Sequence, residues 1–301
     1  MQRAIKKEMS KLKNQKLAMK VSLHTIILNI GLTIFKITAG LIGKSSAMIS
    51  DAIHSLSDVI STIIIIIGIR FANKKPDQEH PYGHERFECV AAIILAFILF
   101  ITGIAIGYQG LQAILTGNYQ ILVLSSGLSM IAAVVSIIVK EGMYWYTRNA
   151  AKKINSSALM ADAWHHRSDA FSSVGSFVGI LGAYLGFPVF DSVACIIICI
   201  LIVKASIDIF RDSIDKMIDR ACDLKTIDTI QKIILNQKNI NKIDLLKTRL
   251  FGNMIYVDVE ISTDGNQTLY ESHAIAHLVH DQIEEQIDNV KHCMVHVNPN
   301  S

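Results

Sequence analysis

The stretch MADAWHHRSDAFSS, Met160–Ser173, places two histidines, two aspartates and an arginine inside a segment that otherwise reads as membrane-spanning. The segment SDAIHSLSDV at Ser50–Val59 echoes it. Laying His54 on His165 and Asp58 on Asp169 also brings Asp51, Ala52 and Ser57 onto Asp162, Ala163 and Ser168, so the pattern D-A-x-H-x-x-S-D occurs twice. On a helix the His and Asp of each copy lie one turn apart on the same face. Two such helices can converge four ligands.

An aspartate at the centre of a membrane helix costs about 3 kcal/mol on insertion scales, so Asp58 and Asp169 should face each other rather than lipid. Two carboxylate oxygens with two imidazole nitrogens form an N2O2 set, and the two negative charges match a divalent cation such as Zn2+. The plain alternative is a pair of satisfied polar contacts between helices, which the repeat disfavours.

Outward from these motifs, the 301 residues are 51% apolar with mean hydropathy +0.38, and the apolar residues fall in blocks, the mark of a polytopic membrane protein. Met1–Lys20 is basic, with Arg3, Lys6, Lys7, Lys11, Lys13, Lys16 and Lys20 against Glu8 alone. Spans are expected at Val21–Gly43, Ala47–Ile69, Phe87–Leu115, Leu122–Tyr146, Ser157–Leu185 and Ser192–Phe210, each long enough for a hydrocarbon layer of roughly 30 Å. No small-residue cleavage site follows the first, which reads as an uncleaved helix. Lys36, inside it, reads as a snorkelling residue.

Arg70, Lys74, Lys75 and Arg86 flank the second loop, and Arg148, Lys152 and Lys153 the fourth, whereas the first offers only Lys44 and the third and fifth no basic residue. That asymmetry puts both termini in the cytoplasm of a multi-pass protein, with the cell membrane as its expected location. From about Arg220 the composition becomes that of a soluble domain. Helix Ile227–Asn236, strands Lys242–Leu250 and Met254–Thr263, helix Tyr270–Ile287 and strand His292–Val297 predict a small α+β domain. The divisions are a basic N-terminus over 1–20, a six-helix transmembrane domain over 21–219 and a cytoplasmic α+β domain over 220–301. A domain of that size barely supports its own core, so a second copy is an expected partner.

Cys89, Cys195, Cys199, Cys222 and Cys293 show no CxxC pairing and read as buried structural thiols. Between the second and third spans, KKPDQEHPYGHERFE offers Asp77, His80 and His84 at spacings of three and four, suitable for metal but equally for a solvated charged loop. Five of the eleven histidines, His273, His277, His280, His292 and His296, lie in the last thirty residues, with Asp258 and Cys293 in the same domain. That is suggestive of metal and not specific.

The paired motif, the HPYGHERFE segment, six helices with cytoplasmic termini and the α+β tail together resemble the cation diffusion facilitator family of metal-proton antiporters, over essentially the whole chain from Lys20. The resemblance implies a ferredoxin- or metallochaperone-like C-terminal domain and a transport site of His54, Asp58, His165 and Asp169. It implies a secondary cytoplasmic-loop site of Asp77, His80 and His84. Asp258, His273 and His296 fall where some members hold a metal cluster at a dimer interface, but Ile243 and Asn298 stand where that cluster has a histidine and an aspartate. It also implies a homodimer joined through the C-terminal domain and the third-helix region, with Arg86 and Asp219 as a basic-acidic lock whose alternative is two unrelated solvated charges.

Expected function is therefore divalent metal efflux, Zn2+ exchanged for protons by alternating access, with membrane lipid as surroundings and no nucleic acid. Cobalt, cadmium, iron(II) and manganese stay open as cargo, since ligand type sets only a preference. An intramembrane metallohydrolase lacks an H-E-x-x-H motif and an open coordination position, so no enzyme is expected. A membrane-anchored metal sensor would not need the duplicated motif.

Overall fold

A computed structural model of the protein describes residues 2–42, 46–117, 127–184, 189–287 and 289–300, and the side chains of some helical residues, His54 among them, lie outside the description. The connections at 43–45, 118–126 and 185–188, on which part of the loop-charge reading rests, also lie outside the described residues. The chain divides into two compact units, one of residues 13–213 and one of residues 1–12 with 214–301.

Six long helices build the first unit, with only the start of the first and the end of the last outside it: α1 (Gln2–Ile42), α2 (Ser46–Ala72), α3 (Phe87–Thr116), α4 (Gly127–Ile154), α5 (Ser157–Tyr184) and α6 (Val189–Met217). The basic N-terminal residues continue into the first span as one helix of 41 residues. Among the described residues, Leu12–Ala39 and Phe87–Thr116 are long and apolar enough to cross a membrane by themselves, with mean hydropathies of 1.5 and 2.9.

This unit inverts the soluble pattern. Large apolar side chains face outward, as Ile27, Ile30 and Ile34 do on α1, Phe97, Ile101 and Ile104 on α3, and Ile197 and Ile200 on α6. Thr25, Asn29, Lys36, Ser55, Asp58, Thr62, Asp162 and His166 are buried. An apolar exterior around a polar interior is stable where the surroundings are hydrocarbon, because there every lipid-facing polar group is costly. Lys36 corrects the snorkelling expectation: it is 2% exposed, and its ammonium donates to Ser55 Oγ of α2 at 2.8 Å.

Small residues let the helices approach. A Cβ added to Gly68 of α2 would collide with that of Ala91 on α3. On α3, Gly107 would meet Cys199 Sγ at 2.5 Å and Gly110 the Ser192 carbonyl of α6 at 2.7 Å. Close backbone approach at small residues is how membrane helices gain dispersion energy without a hydrophobic driving force. Gly110→Ala should therefore destabilise more than Gly107→Ala, since a backbone carbonyl cannot yield as a thiol can. Thermal unfolding in detergent should show both losses, of the order of 1–3 kcal/mol for overpacking, and Cys199→Ala should recover part of the second alone.

In the second unit, α7 (Leu224–Leu235) precedes the strands β1 (Lys242–Phe251) and β2 (Met254–Asp264), then α8 (Leu269–Gln286) and β3 (Val290–Asn300). The sheet order is β1-β2-β3. β1 and β2 form an antiparallel hairpin about Gly252, whose φ of 63° suits the turn, while β3 runs parallel to β2. A parallel pair needs a crossover, which α8 supplies. Asp223 caps α7, accepting from Thr226 N at 3.0 Å, and Thr268 with Glu271 forms a capping box at the start of α8. Ile275, Val279 and Ile283, four apart on α8, join Ile230 and Ile234 of α7 and Val257, Val259 and Ile261 of β2 in the core.

At the bulge between Ile243 and Leu245, Asp244 accepts from Ser262 Oγ at 2.5 Å, from Asn298 Nδ2 at 3.0 Å and from Lys242 Nζ at 3.0 Å. Those bonds, Ser262 foremost, pull its carboxyl down to about 2. Its stabilising effect is thus complete above the unfolded value near 3.9 and disappears as pH falls from about 4 towards 2. Asn298→Leu removes one donor, so acid-induced opening of β1, followed by amide hydrogen exchange against wild type at each pH, should begin at a higher pH in the variant.

Candidate metal centre

Two helices carry the repeated motif because its apolar positions fit helical spacing and its polar positions share one face. Asp58 of α2 with His165 and Asp169 of α5 present ligand atoms all within 4.8 Å of one another. His165 Nε2 lies 3.3 Å from Asp58 Oδ1. The three residues are 1%, 5% and 7% exposed, so water screens them poorly. His54 lies one helical turn before Asp58 on α2, with its side chain outside the description.

A residue that the motif reading passed over sits in the middle of this centre. Lys140 of α4, 2% exposed, donates to Asp58 Oδ2 at 2.5 Å and to Asp169 Oδ2 at 3.0 Å. It occupies the position of a cation between the two carboxylates. Its only sequence signal is a lysine directly after the mainly apolar run Ala132–Val139, which by itself reads as a snorkelling side chain. One turn before His165 and Asp169, Asp162 and His166 form a second buried pair at 3.6 Å, and Thr62 of α2 donates to Asp162 at 3.4 Å. Arg167 stacks on Tyr144 at 4.3 Å and reaches Glu141 at 3.7 Å, tying α5 to α4 beside the centre.

The loop between α2 and α3 gathers its predicted trio as well. Asp77, His80 and His84 present ligand atoms within 4.8 Å. The His80 backbone N–H donates to Asp77 Oδ1 at 2.8 Å, and His84 Nε2 lies 3.4 Å from Asp77 Oδ2. Gly83, at φ 97°, turns the chain so that both rings face the carboxylate, their centroids 4.6 Å apart. Lys74, donating at 2.6 Å, and the His80 N–H hold the Asp77 carboxyl well below the usual carboxylate range. The group is therefore ionised wherever a metal would meet it.

Asp258, His273 and His296 are not brought together within this single chain. Asp258 faces Lys247 and Met294 across the sheet, His296 pairs with Glu260, and His273 lies on α8 with its ring 5.5 Å from that of His277. Asn298, standing where the cluster has an aspartate, donates instead to Asp244 and Glu260. A carboxylate there would meet two others.

Removing Lys140 tests the centre's charge balance. With a glutamine in its place, Asp58 and Asp169 lose their shared ammonium, and breaking a buried pair costs about 3–5 kcal/mol. Lys140→Gln should lower the melting temperature of ion-free protein, and Zn2+ should raise it by more in the variant than in wild type. Equal zinc shifts would mean that Lys140 does not compete with the ion.

Sequence profiles of two domains cover the chain: the cation efflux transmembrane domain over residues 22–218 and the cation efflux protein cytoplasmic domain over 222–300. An uncharacterized transporter of Methanocaldococcus jannaschii is 38% identical over 91% of this chain and 95% of its own length. The manganese efflux system protein MneP of Bacillus subtilis is 31% identical over 95% of this chain and 97% of its own. The magnetosome protein MamB of a Magnetospira species is 30% identical over 90% and 92%. With both domain profiles matched end to end and full-length relatives at these identities, the chain belongs to the cation efflux, or cation diffusion facilitator, family, whose members are membrane transporters and not enzymes.

Proposed function

We propose that this protein exports a divalent metal ion in exchange for protons, binding the ion at His54, Asp58, His165 and Asp169 and opening alternately to either side of the membrane. The observation that carries the reading is the convergence of Asp58, His165 and Asp169 from α2 and α5 inside a buried polar centre. Two carboxylates and imidazole suit a borderline divalent ion, and zinc is the preferred cargo on that chemistry. Manganese is the second reading, favoured by the similarity to MneP, a protein named for manganese efflux.

Exchange follows from competition. Ligand atoms must be free of protons to hold metal, so a proton entering from one side and an ion entering from the other displace each other. Lys140 adds a tethered cation to that competition: its ammonium bridges the carboxylates that the ion needs, and so must withdraw for the ion to bind. The loop trio Asp77, His80 and His84 is a second ion site at the cytoplasmic edge. Termini in the cytoplasm, residence in the cell membrane, and a homodimer joined through the C-terminal domain and the third-helix region complete the reading.

The test is flux in proteoliposomes loaded with a pH-sensitive dye, at zero membrane potential, across zinc, cobalt, cadmium, iron(II) and manganese. Metal uptake with matching proton counter-movement is expected, fastest for zinc, and abolished by Asp58→Ala or Asp169→Ala. Ion movement without protons would leave a uniporter, and wild-type rates in either variant would place the site elsewhere.

A further inference from the structure

Of the C-terminal histidines, two meet a glutamate at the far end of a row of rings that runs from His273 through His277 and His280 to His292. His280 and Glu284 are one turn apart on α8, and His292 opens β3 alongside them; their ligand atoms lie within 4.8 Å of one another. His280 Nε2 is 3.4 Å and His292 Nδ1 3.7 Å from the same Glu284 oxygen, Oε1.

The surroundings fix how these groups face. His280 Nδ1 lies 2.6 Å from the Cys293 carbonyl. A carbonyl only accepts, so Nδ1 carries the hydrogen, and in the neutral ring the lone pair sits on Nε2, towards Glu284. The Cys293 backbone N–H donates to Glu284 Oε1 at 3.1 Å and orients the carboxylate in turn. One residue's peptide groups thus aim both an imidazole and a carboxylate at a common point. Backbone bonds that set the tautomer and direction of the ligating groups are what metal-bound histidines have around them. Without a positive charge between them, Nε2 and Oε1 are two acceptors pointing at each other.

We infer that His280, Glu284 and His292 form a further binding site for a borderline divalent cation such as Zn2+ or Co2+, distinct from the transport centre. Two imidazoles and one carboxylate match the ligand preference of those ions over magnesium or calcium, and solvent completes a tetrahedral set around three protein ligands. Side-chain exposures of 30%, 17% and 49% for His280, Glu284 and His292 leave an entry path from solution. Bound there, the ion fastens the second half of α8 to the start of β3, the strand that α8 leads into.

The experiment uses the full-length chain in detergent micelles, in an Asp58→Ala/Asp169→Ala background that removes the transport centre. Zn2+ equivalents are counted by equilibrium dialysis with and without His280→Gln/His292→Gln. Loss of one equivalent is expected, with loss of the corresponding Co2+ visible absorption, while His277→Gln should leave the count unchanged. An unchanged count in the double variant overturns the site and reduces the trio to a hydrogen-bonded cluster. A second measurement needs no variant of the site: stoichiometric Zn2+ should protect His280 and His292 from diethyl pyrocarbonate, mapped by mass spectrometry. Modification at the same rate with and without Zn2+ also overturns it. The transport reading fails or stands separately, in the flux of the otherwise unaltered protein.

Discussion

Two carboxylates enclosed within a helical bundle need a positive charge, and the rest of the transmembrane unit is arranged around that requirement. Asp58 and Asp169 come from different helices, and Lys140 from a third meets both. The ammonium offsets a desolvation penalty that, for ions in a low-dielectric interior, otherwise amounts to several kcal/mol each. In the proposed function this tethered ammonium gives way to a diffusible ion, which an apolar filling of the same volume could not do.

That centre dictates what surrounds it. Polar side chains of α1, α2 and α5 line the interior, so the helices must pack there through residues that leave them room. The glycine row of α3, Gly103, Gly107 and Gly110, draws α6 close, and a Cβ at either of the last two would collide with it. Apolar bulk is displaced to the outer surface, where lipid accepts it.

The soluble unit relies on different physics. Its core is conventional, with Ile275, Val279 and Ile283 of α8 over the middle strand, and its polar groups are held by hydrogen bonds together with exposed ion pairs such as Lys242–Asp244. Asn298 shows the difference in detail: an amide serves Asp244 and Glu260 together, where an acid would repel both. Cys293 has its thiol pushed up to about 12, chiefly by burial. Its peptide groups nonetheless organise the His280 and Glu284 side chains.

Much of this was legible in the residues alone. The D-A-x-H-x-x-S-D repeat specified helices α2 and α5 and the facing of Asp58, His165 and Asp169, because i, i+4 spacing and the cost of charge in lipid are both local facts. The elements of the C-terminal domain followed from periodicity and turn residues within a few positions. Tertiary structure decided what joins distant segments. Lys140 is 82 residues from Asp58 and 29 from Asp169, and no local pattern distinguishes it from Lys36, which turns inward to Ser55 instead. His280 and Glu284 announce themselves at helical spacing, but only the parallel return of β3 along β2 brings His292 and the Cys293 peptide to them. Spacing along one helix can be read from its own sequence; which side chain fills the space between two helices depends on how the backbones pack.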